Sequence, residues 1–271
     1  MNDLSLNNIL LVSDLDGTLV TNKGVIPARS IDAVRRFMEK GGRFTFATGR
    51  SVMGTLKFTQ QVMPNTPILT YNGGCIYDLE KQKALWNTFL PPSSAQIIRA
   101  VKKLFPDVGI EVYSSQHVYS INKNEHTKAH ISFGNLTEHE RTVNDIPENL
   151  NKILFCCDSD RLSQVAAHLE KLDHSGCIYV FSGPIYLEVL PEGVSKGETV
   201  KNLADMLGIS HRQIMGIGDY YNDRELLETS AISAVPAGAP DDLKQIADIV
   251  VGSCEDGAVA DFIEYIEANY K

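Results

Sequence analysis

A short apolar run, Asn8 to Ser13, decides much of what this chain can become, because it shows no alternation and ends on an aspartate, Asp14. A half-exposed strand alternates apolar with polar residues; a run apolar throughout suits a strand covered by helices on both faces, the setting of a parallel sheet. Ser30 to Lys40 follows with Ile31, Val34, Phe37 and Met38 at helical spacing, and Gly41-Gly42 closes it. Arg43 to Ala47 then reads as a second strand. Strand, helix and strand within about 40 residues make a βαβ unit, with parallel strands and a right-handed crossover. After another helical stretch, Pro67 to Thr70 adds a third strand.

The same rhythm returns near the other end. Helix is expected over Gly197 to Leu207, Asn222 to Glu228, Asp241 to Ala247 and Gly257 to Ala268, with strands at Gln213 to Ile217 and Ala231 to Val235. Between about Glu80 and Tyr186 the pattern changes to α+β. Strands are expected there at Val108 to Tyr113, His117 to Ile121, Ile153 to Cys157, Ile178 to Phe181 and Ile185 to Leu190, beside helices at Ser93 to Leu104 and Arg161 to Leu172. With 271 residues against roughly 150 per domain, the expected organisation is an α/β core from 1–81 and 187–271, with 82–186 inserted as an α+β cap. Tyr113, Tyr119, Phe133, Tyr179, Phe181 and Tyr186 are expected in the core of that insert.

Charge narrows the partners. The 34 acids against 25 bases leave a net charge of -9, which repels nucleic-acid backbones and anionic lipid at long range. No apolar run approaches the 18 or so residues that cross a bilayer, and Met1 to Asn8 lacks the features of a secretory signal. The expectation is a cytoplasmic protein with no nucleic-acid or membrane partner. Five cysteines is an odd number at low density, and they read as reduced thiols.

Open parallel sheets bind ligands at the carboxyl ends of their strands, so the residues just past each strand carry the chemistry. They are Asp14-Leu15-Asp16-Gly17-Thr18, Thr48-Gly49-Arg50, Tyr71-Asn72-Gly73-Gly74 and Gly218-Asp219-Tyr220-Tyr221-Asn222-Asp223, with Lys196 at the return from the insert. One aspartate at a strand end is an ordinary cap or turn residue. Four such places in order are not. Asp14 and Asp16 share a face if the strand persists and repel unless a cation lies by them; Asp219 and Asp223 can bring further carboxylates to the same edge. Hard oxygen ligands of this kind suit Mg²⁺. A calcium loop starting at Asp14 fails, since its sixth and twelfth positions are Leu19 and Val25. The start of a dinucleotide fingerprint at Gly216-Ile217-Gly218 fails at Tyr221, and no Gly-x-x-x-x-Gly-Lys-Ser/Thr loop occurs. His126 and His130 stand at helical i, i+4 spacing but lack the surroundings of a zinc site.

The ordered segments at Asp14 to Thr18, Thr48 to Arg50, Lys196-Gly197, and Gly218-Asp219 with Asn222-Asp223 resemble the four motifs of the haloacid dehalogenase (HAD) superfamily. The insert between the second and third motifs, the Asn72-Gly73-Gly74 turn, and Glu188-Val189-Leu190-Pro191 resemble its Cof-type branch, with a cap of the C2B kind. One departure is Ala237-Gly238-Ala239, where relatives usually carry Met-Gly-Asn, in a segment that only supports the site. The resemblance implies a Rossmann-like parallel-sheet core with an inserted α+β cap, and a Mg²⁺-dependent phosphatase. Asp14 is then the nucleophile that forms an aspartyl-phosphate, and Asp16 the general acid and later base. Thr48 and Lys196 would hold the phosphoryl oxygens, with Gly49, Arg50, Asn72, Gly73 and Asn222 as further phosphate-binding residues. Mg²⁺ would be held by Asp14, the Asp16 backbone carbonyl and Asp219, with Asp223 as ligand or close support.

The expected substrate is a small phosphorylated metabolite, a sugar phosphate above all. A phosphomutase is the first alternative, because the same aspartyl-phosphate can be returned to a second hydroxyl. A protein that keeps the fold as a binding or regulatory module without turnover is the alternative of another class. The oligomeric state is not readable from the sequence.

Overall fold

The structure is a computed structural model that describes residues 6–114, 117–171 and 176–270. In chain order it begins with β1 (Leu10–Ser13), α1 (Ala28–Glu39), β2 (Arg43–Phe46), α2 (Val52–Thr59), β3 (Ile68–Thr70), β4 (Cys75–Asp78) and β5 (Lys83–Asn87). It continues with α3 (Ser94–Leu104), β6 (Gly109–Ser114), β7 (His117–Asn122), α4 (Glu125–Gly134), β8 (Glu138–Glu140), β9 (Lys152–Cys156), α5 (Ser159–Leu169), β10 (Cys177–Gly183) and β11 (Tyr186–Pro191). It closes with α6 (Lys196–Leu207), β12 (Ile214–Ile217), α7 (Arg224–Thr229), β13 (Ile232–Pro236), α8 (Asp241–Ile246), β14 (Ile249–Val251) and α9 (Ala258–Asn269).

The chain divides into two compact units: residues 1–49, 55–86 and 195–271 form one, and 50–54 with 87–194 form the other. In the first unit a parallel sheet runs in the order β14-β13-β12-β1-β2. β1 lies inside it, pairing Leu10 with both Ile214 and Arg43, and all four of its residues are buried. That is why its sequence does not alternate. α1 buries Ala33, Val34 and Phe37 and packs against α9, where Arg29 pairs with Asp261 and Glu264, and Arg36 with Glu267. A parallel bridge from Ala47 to Leu69 joins the edge of β2 to β3, the start of a three-stranded sheet, β3-β4-β5.

The second unit is a six-stranded sheet in the order β10-β11-β9-β6-β7-β8, antiparallel except where β7 meets β8. α3 and α5 cover one face, with Ile98, Val101, Leu162 and Val165 packing on Ile110, Val112, Ile153 and Phe155. Tyr119, Tyr179 and Phe181 pack at the margin of that core. Strand alternation then turns Glu111, Lys152 and Glu188 away from the helices. They are buried nonetheless: Lys152 Nζ lies 2.8 Å from Glu188 Oε2, while Glu111 Oε2 accepts from the Tyr113 hydroxyl at 2.7 Å and lies 2.9 Å from His130 Nδ1.

Several features differ from the sequence expectation. β11 belongs to this sheet, bonded to both β9 and β10, so the return to the first unit falls at Ser195 rather than near Tyr186. α4, β4, β5, β8 and β14 are additional. His126 and His130 do lie one turn apart on α4, each beside a carboxylate of its own, Asp158 and Glu111. The expected end of the second helix of the insert, Leu172, lies outside the described residues. All five cysteines are buried and unpaired. Among the described residues no helix is long and apolar enough to cross a membrane.

Candidate active site

Backbone hydrogen bonds at the carboxyl edge of the parallel sheet tie the expected segments together before any side chain is considered. The Asp14 N–H donates to Ile217 O at 2.9 Å, Ala47 N–H to Ser13 O at 2.9 Å, Thr48 N–H to Leu69 O at 3.0 Å, and Asn72 N–H to Thr48 O at 2.9 Å. Asp14, Thr48 and Asn72 therefore sit on one continuous ladder. Tyr71 and Asn72 both take left-handed backbone conformations, φ 56° and 54°. Such a conformation is tolerated by asparagine and held by tertiary contacts. Here the Asn222 side-chain amide donates to Asn72 Oδ1 at 3.0 Å, linking the turn after β3 to the turn after β12.

Lys196 opens α6, whose N-terminus is capped by Ser195 Oγ accepting from the Glu198 N–H at 3.1 Å. Its side chain is completely buried, and Nζ donates to Asp14 Oδ1 at 2.6 Å and to Asp223 Oδ1 at 2.5 Å. The other Asp223 oxygen accepts the backbone N–H groups of Asp219 at 3.0 Å and Tyr220 at 3.2 Å, so this carboxylate fixes both the lysine and the turn. Gly73 lets α6 come this close: it has φ +99°, and a Cβ there would stand 2.3 Å from Ser195 O. Thr199 Oγ1 closes the seam by donating to Gly73 O at 2.8 Å.

Asp219 is oriented by Thr18, whose hydroxyl donates to Oδ1 at 3.0 Å. Gly17, at φ +82°, passes so near that a Cβ would lie 2.3 Å from Asp219 Oδ2. Oxygens of Asp14, Asp219 and Asp223 all fall within 4.8 Å of one another. The Asp16 side chain is exposed and lies outside that group. Thr48 is buried. Arg50 belongs to the second unit, its guanidinium 5.2 Å from the centroid of the Phe133 ring on α4.

Three carboxylates against one ammonium leave negative charge uncompensated, and burial adds to the cost of that charge. Burial pushes the Asp14 carboxyl well above its usual range; Lys196 opposes this, while Asp223, Asp219 and Asp16 add to it. Burial and then Asp223 push Asp219 up to about 7, against the Thr18 hydrogen bond and Lys196. Burial works against the charge on Lys196, but Asp14 and Asp223 outweigh it and raise its value. Lysine is thus held charged, and its single positive charge is shared among three carboxylates. An all-oxygen donor set with excess negative charge fits a hard divalent cation such as Mg²⁺.

The sequence brings Thr18, Ser195 and Thr199 into view only as neighbours of named residues. Thr18 carries a signal, since a hydroxyl two residues past Asp16 on a tight glycine turn is placed to meet another loop. Thr199 carries none.

A family profile described as haloacid dehalogenase-like hydrolase matches residues 11–263. The chain is 29% identical over 281 residues to the 5-amino-6-(5-phospho-D-ribitylamino)uracil phosphatase of Bacillus subtilis, covering 93% of this chain and 96% of that one. It is 28% identical over 268 residues to the HMP-PP phosphatase of Klebsiella pneumoniae, covering 94% of each. Among solved structures, a haloacid dehalogenase-like hydrolase from Bacteroides thetaiotaomicron superposes with a TM-score of 0.84 at 25% identity, over 95% of this chain and 99% of that one. A sugar phosphatase of HAD subclass IIB gives 0.85 at 19% identity, over 96% and 99%, a likeness of fold.

Proposed function

The chain belongs to the haloacid dehalogenase-like hydrolases as a phosphatase of small phosphate substrates, and we propose that it cleaves phosphate monoesters through an aspartyl-phosphate on Asp14, with Mg²⁺ as cofactor. The observation that carries this reading is the buried Asp14–Lys196–Asp223 bridge beside Asp219. Lys196 grips Asp14 Oδ1, which orients the carboxylate and leaves its second oxygen to attack phosphorus. As the new oxygen–phosphorus bond forms, the bond to the leaving oxygen breaks and the Asp16 carboxyl gives that oxygen its proton. The Asp16 carboxylate then takes a proton from water, the water oxygen attacks phosphorus, and Asp14 is released with inorganic phosphate.

Thr48 and Lys196 hold the equatorial phosphoryl oxygens in this scheme, and Asn222, fixed against Asn72, supports them with Gly49, Arg50 and Gly73. Positioning and charge supply most of phosphoryl-transfer catalysis. Asp14, Asp219 and the Asp16 carbonyl would hold Mg²⁺, with Asp223 beside them, and the ion would supply positive charge to offset the negative charge of the site and substrate. Names of the similar proteins span ribitylaminouracil, HMP-PP and sugar phosphatases, which supports a small phosphorylated metabolite as substrate, a sugar phosphate among the first to try. Phosphate release from a panel of monoesters, with Mg²⁺ and with chelator, is the test. No release from any ester under either condition sinks the phosphatase reading, and transfer to a second hydroxyl in place of release marks a phosphomutase.

A further inference from the structure

The turn that carries Asp219 and Asp223 also carries two adjacent tyrosines whose rings the turn does not need. Its shape is set by Asp223 Oδ2 accepting two backbone N–H groups and by Asn222 reaching Asn72. Tyr220 and Tyr221 pack edge to face, ring centroids 4.9 Å apart at 65°, inside the range where aromatic pairs attract. Tyr221 still remains 38% exposed. Among the described residues of the first unit, it shares that degree of exposure only with one other aromatic, Tyr265, which lies on α9. Tyr220 is half-buried, and its backbone N–H is held at 3.2 Å by Asp223 Oδ2, the carboxylate that also binds Lys196.

We propose that Tyr220 and Tyr221 form a stacking platform that selects phosphate esters whose leaving group carries a planar unsaturated ring, neutral or cationic. The proposal rests on the phosphatase reading above and adds the class of leaving group to it. A tyrosine face left in water one residue beyond the Asp219–Tyr220 step is apolar surface beside a carboxylate-rich site, and a flat ring covers it most completely. Tyr220 packs its partner's ring into one orientation, so stacking costs less ordering than on a lone exposed tyrosine. A polyol or saturated ring covers less of the face and lacks the matching quadrupole. The surrounding carboxylates repel an anionic ring and tolerate a neutral or cationic one.

The full chain in Mg²⁺ buffer is titrated calorimetrically with benzylphosphonate and with cyclohexylmethylphosphonate, which share a phosphonate head and nearly the same bulk but differ in planarity. The wild type is expected to bind the benzyl compound roughly threefold to tenfold more tightly. Tyr221→Ala should bring that ratio close to one, and Tyr221→Phe should keep it. A ratio near one in the wild type, a ratio that survives Tyr221→Ala, or binding of neither phosphonate overturns the platform. Phosphonates are not hydrolysed, so the readout is independent of turnover. A protein that shows the ratio yet releases no phosphate from any ester sinks the phosphatase reading alone; one that turns esters over without the ratio sinks the platform alone.

Discussion

Lys196 Nζ lies 2.6 Å from Asp14 Oδ1 although 182 residues separate them in the chain. Each makes the other tolerable. The ammonium is fully buried and is held protonated by the carboxylates beside it, and it in turn opposes the burial that pushes the Asp14 carboxyl up. The pair is a positioned nucleophile together with the cation that will face the incoming phosphoryl group.

Asp14→Asn should leave the fold in place and lower kcat by about four orders of magnitude or more, since the amide keeps the shape and loses the nucleophile. Asp16→Asn should cost roughly 10²–10⁴-fold, the range for a lost general acid and base. Single-turnover phosphate release measures both. A near wild-type rate for Asp14→Asn removes the covalent mechanism.

Lys196→Met should destabilise the protein far more than an average substitution, because it strands Asp14 and Asp223 without their shared partner. Breaking a buried pair from one side costs about 3–5 kcal/mol. At about 2–4 °C per kcal/mol for a chain of this size, the melting temperature should fall by roughly 6–20 °C. A melting curve unchanged at neutral pH means that the three groups are not a charged bridge.

Mg²⁺ should stabilise the fold, and the effect should depend on pH in a definite direction. Asp219 is pushed up to about 7 from an ordinary value near 4, so the folded protein holds a proton that the unfolded chain gives up earlier. Without metal, this group therefore makes stability decline as pH rises from about 4 to 7. A cation must displace the same proton. At about 100 times its dissociation constant Mg²⁺ adds roughly 2.7 kcal/mol, so several degrees of melting shift are expected at pH 8 and much less at pH 5.5. Asp219→Asn should melt at or above the metal-free wild type at pH 8 and show a much smaller shift. A full Mg²⁺ shift in that variant places the ion elsewhere.

Gly17→Ala tests how tightly the first loop is fitted to Asp219. The left-handed backbone alone costs the alanine about 1 kcal/mol, and the new methyl would press on Asp219 Oδ2. Weakened Mg²⁺ affinity by roughly 10–100-fold, the usual effect of disturbing a ligand's support, is the expected outcome in a titration followed by melting temperature. Loss of stability with unaltered Mg²⁺ affinity means that the methyl moves the loop and spares the carboxylate.

Much of this was legible because burial leaves marks in sequence. β1 is apolar throughout because both of its faces are covered, and the aspartates stand out because they follow strands at one edge of a parallel sheet. β14 was not legible: three residues between Asp248 and Gly252 give too short a period to read. α4 has a weak apolar stripe, and its best signal was the capping box in which Asn124 and Thr127 exchange hydrogen bonds. The return to the first unit at Ser195 is not legible because β11 is as apolar as a core strand and nothing local says which sheet it joins. Asp223 reads from sequence as a metal ligand or a close support of one, and its bond to the distant Lys196 is something no local pattern can reveal.

The placement of β1 has a cost in time. Its two neighbours are β2, available almost at once, and β12, whose Ile214 must come to lie beside Leu10. During synthesis the strand that carries the nucleophile waits with one edge unpaired and its apolar residues uncovered while the whole second unit emerges. Pairing across so long a separation is slow and leaves hydrophobic surface open to other chains. The growing polypeptide should thus depend on holding chaperones until its last third is made, and truncation just before β12 should yield an aggregating fragment rather than a half-active one.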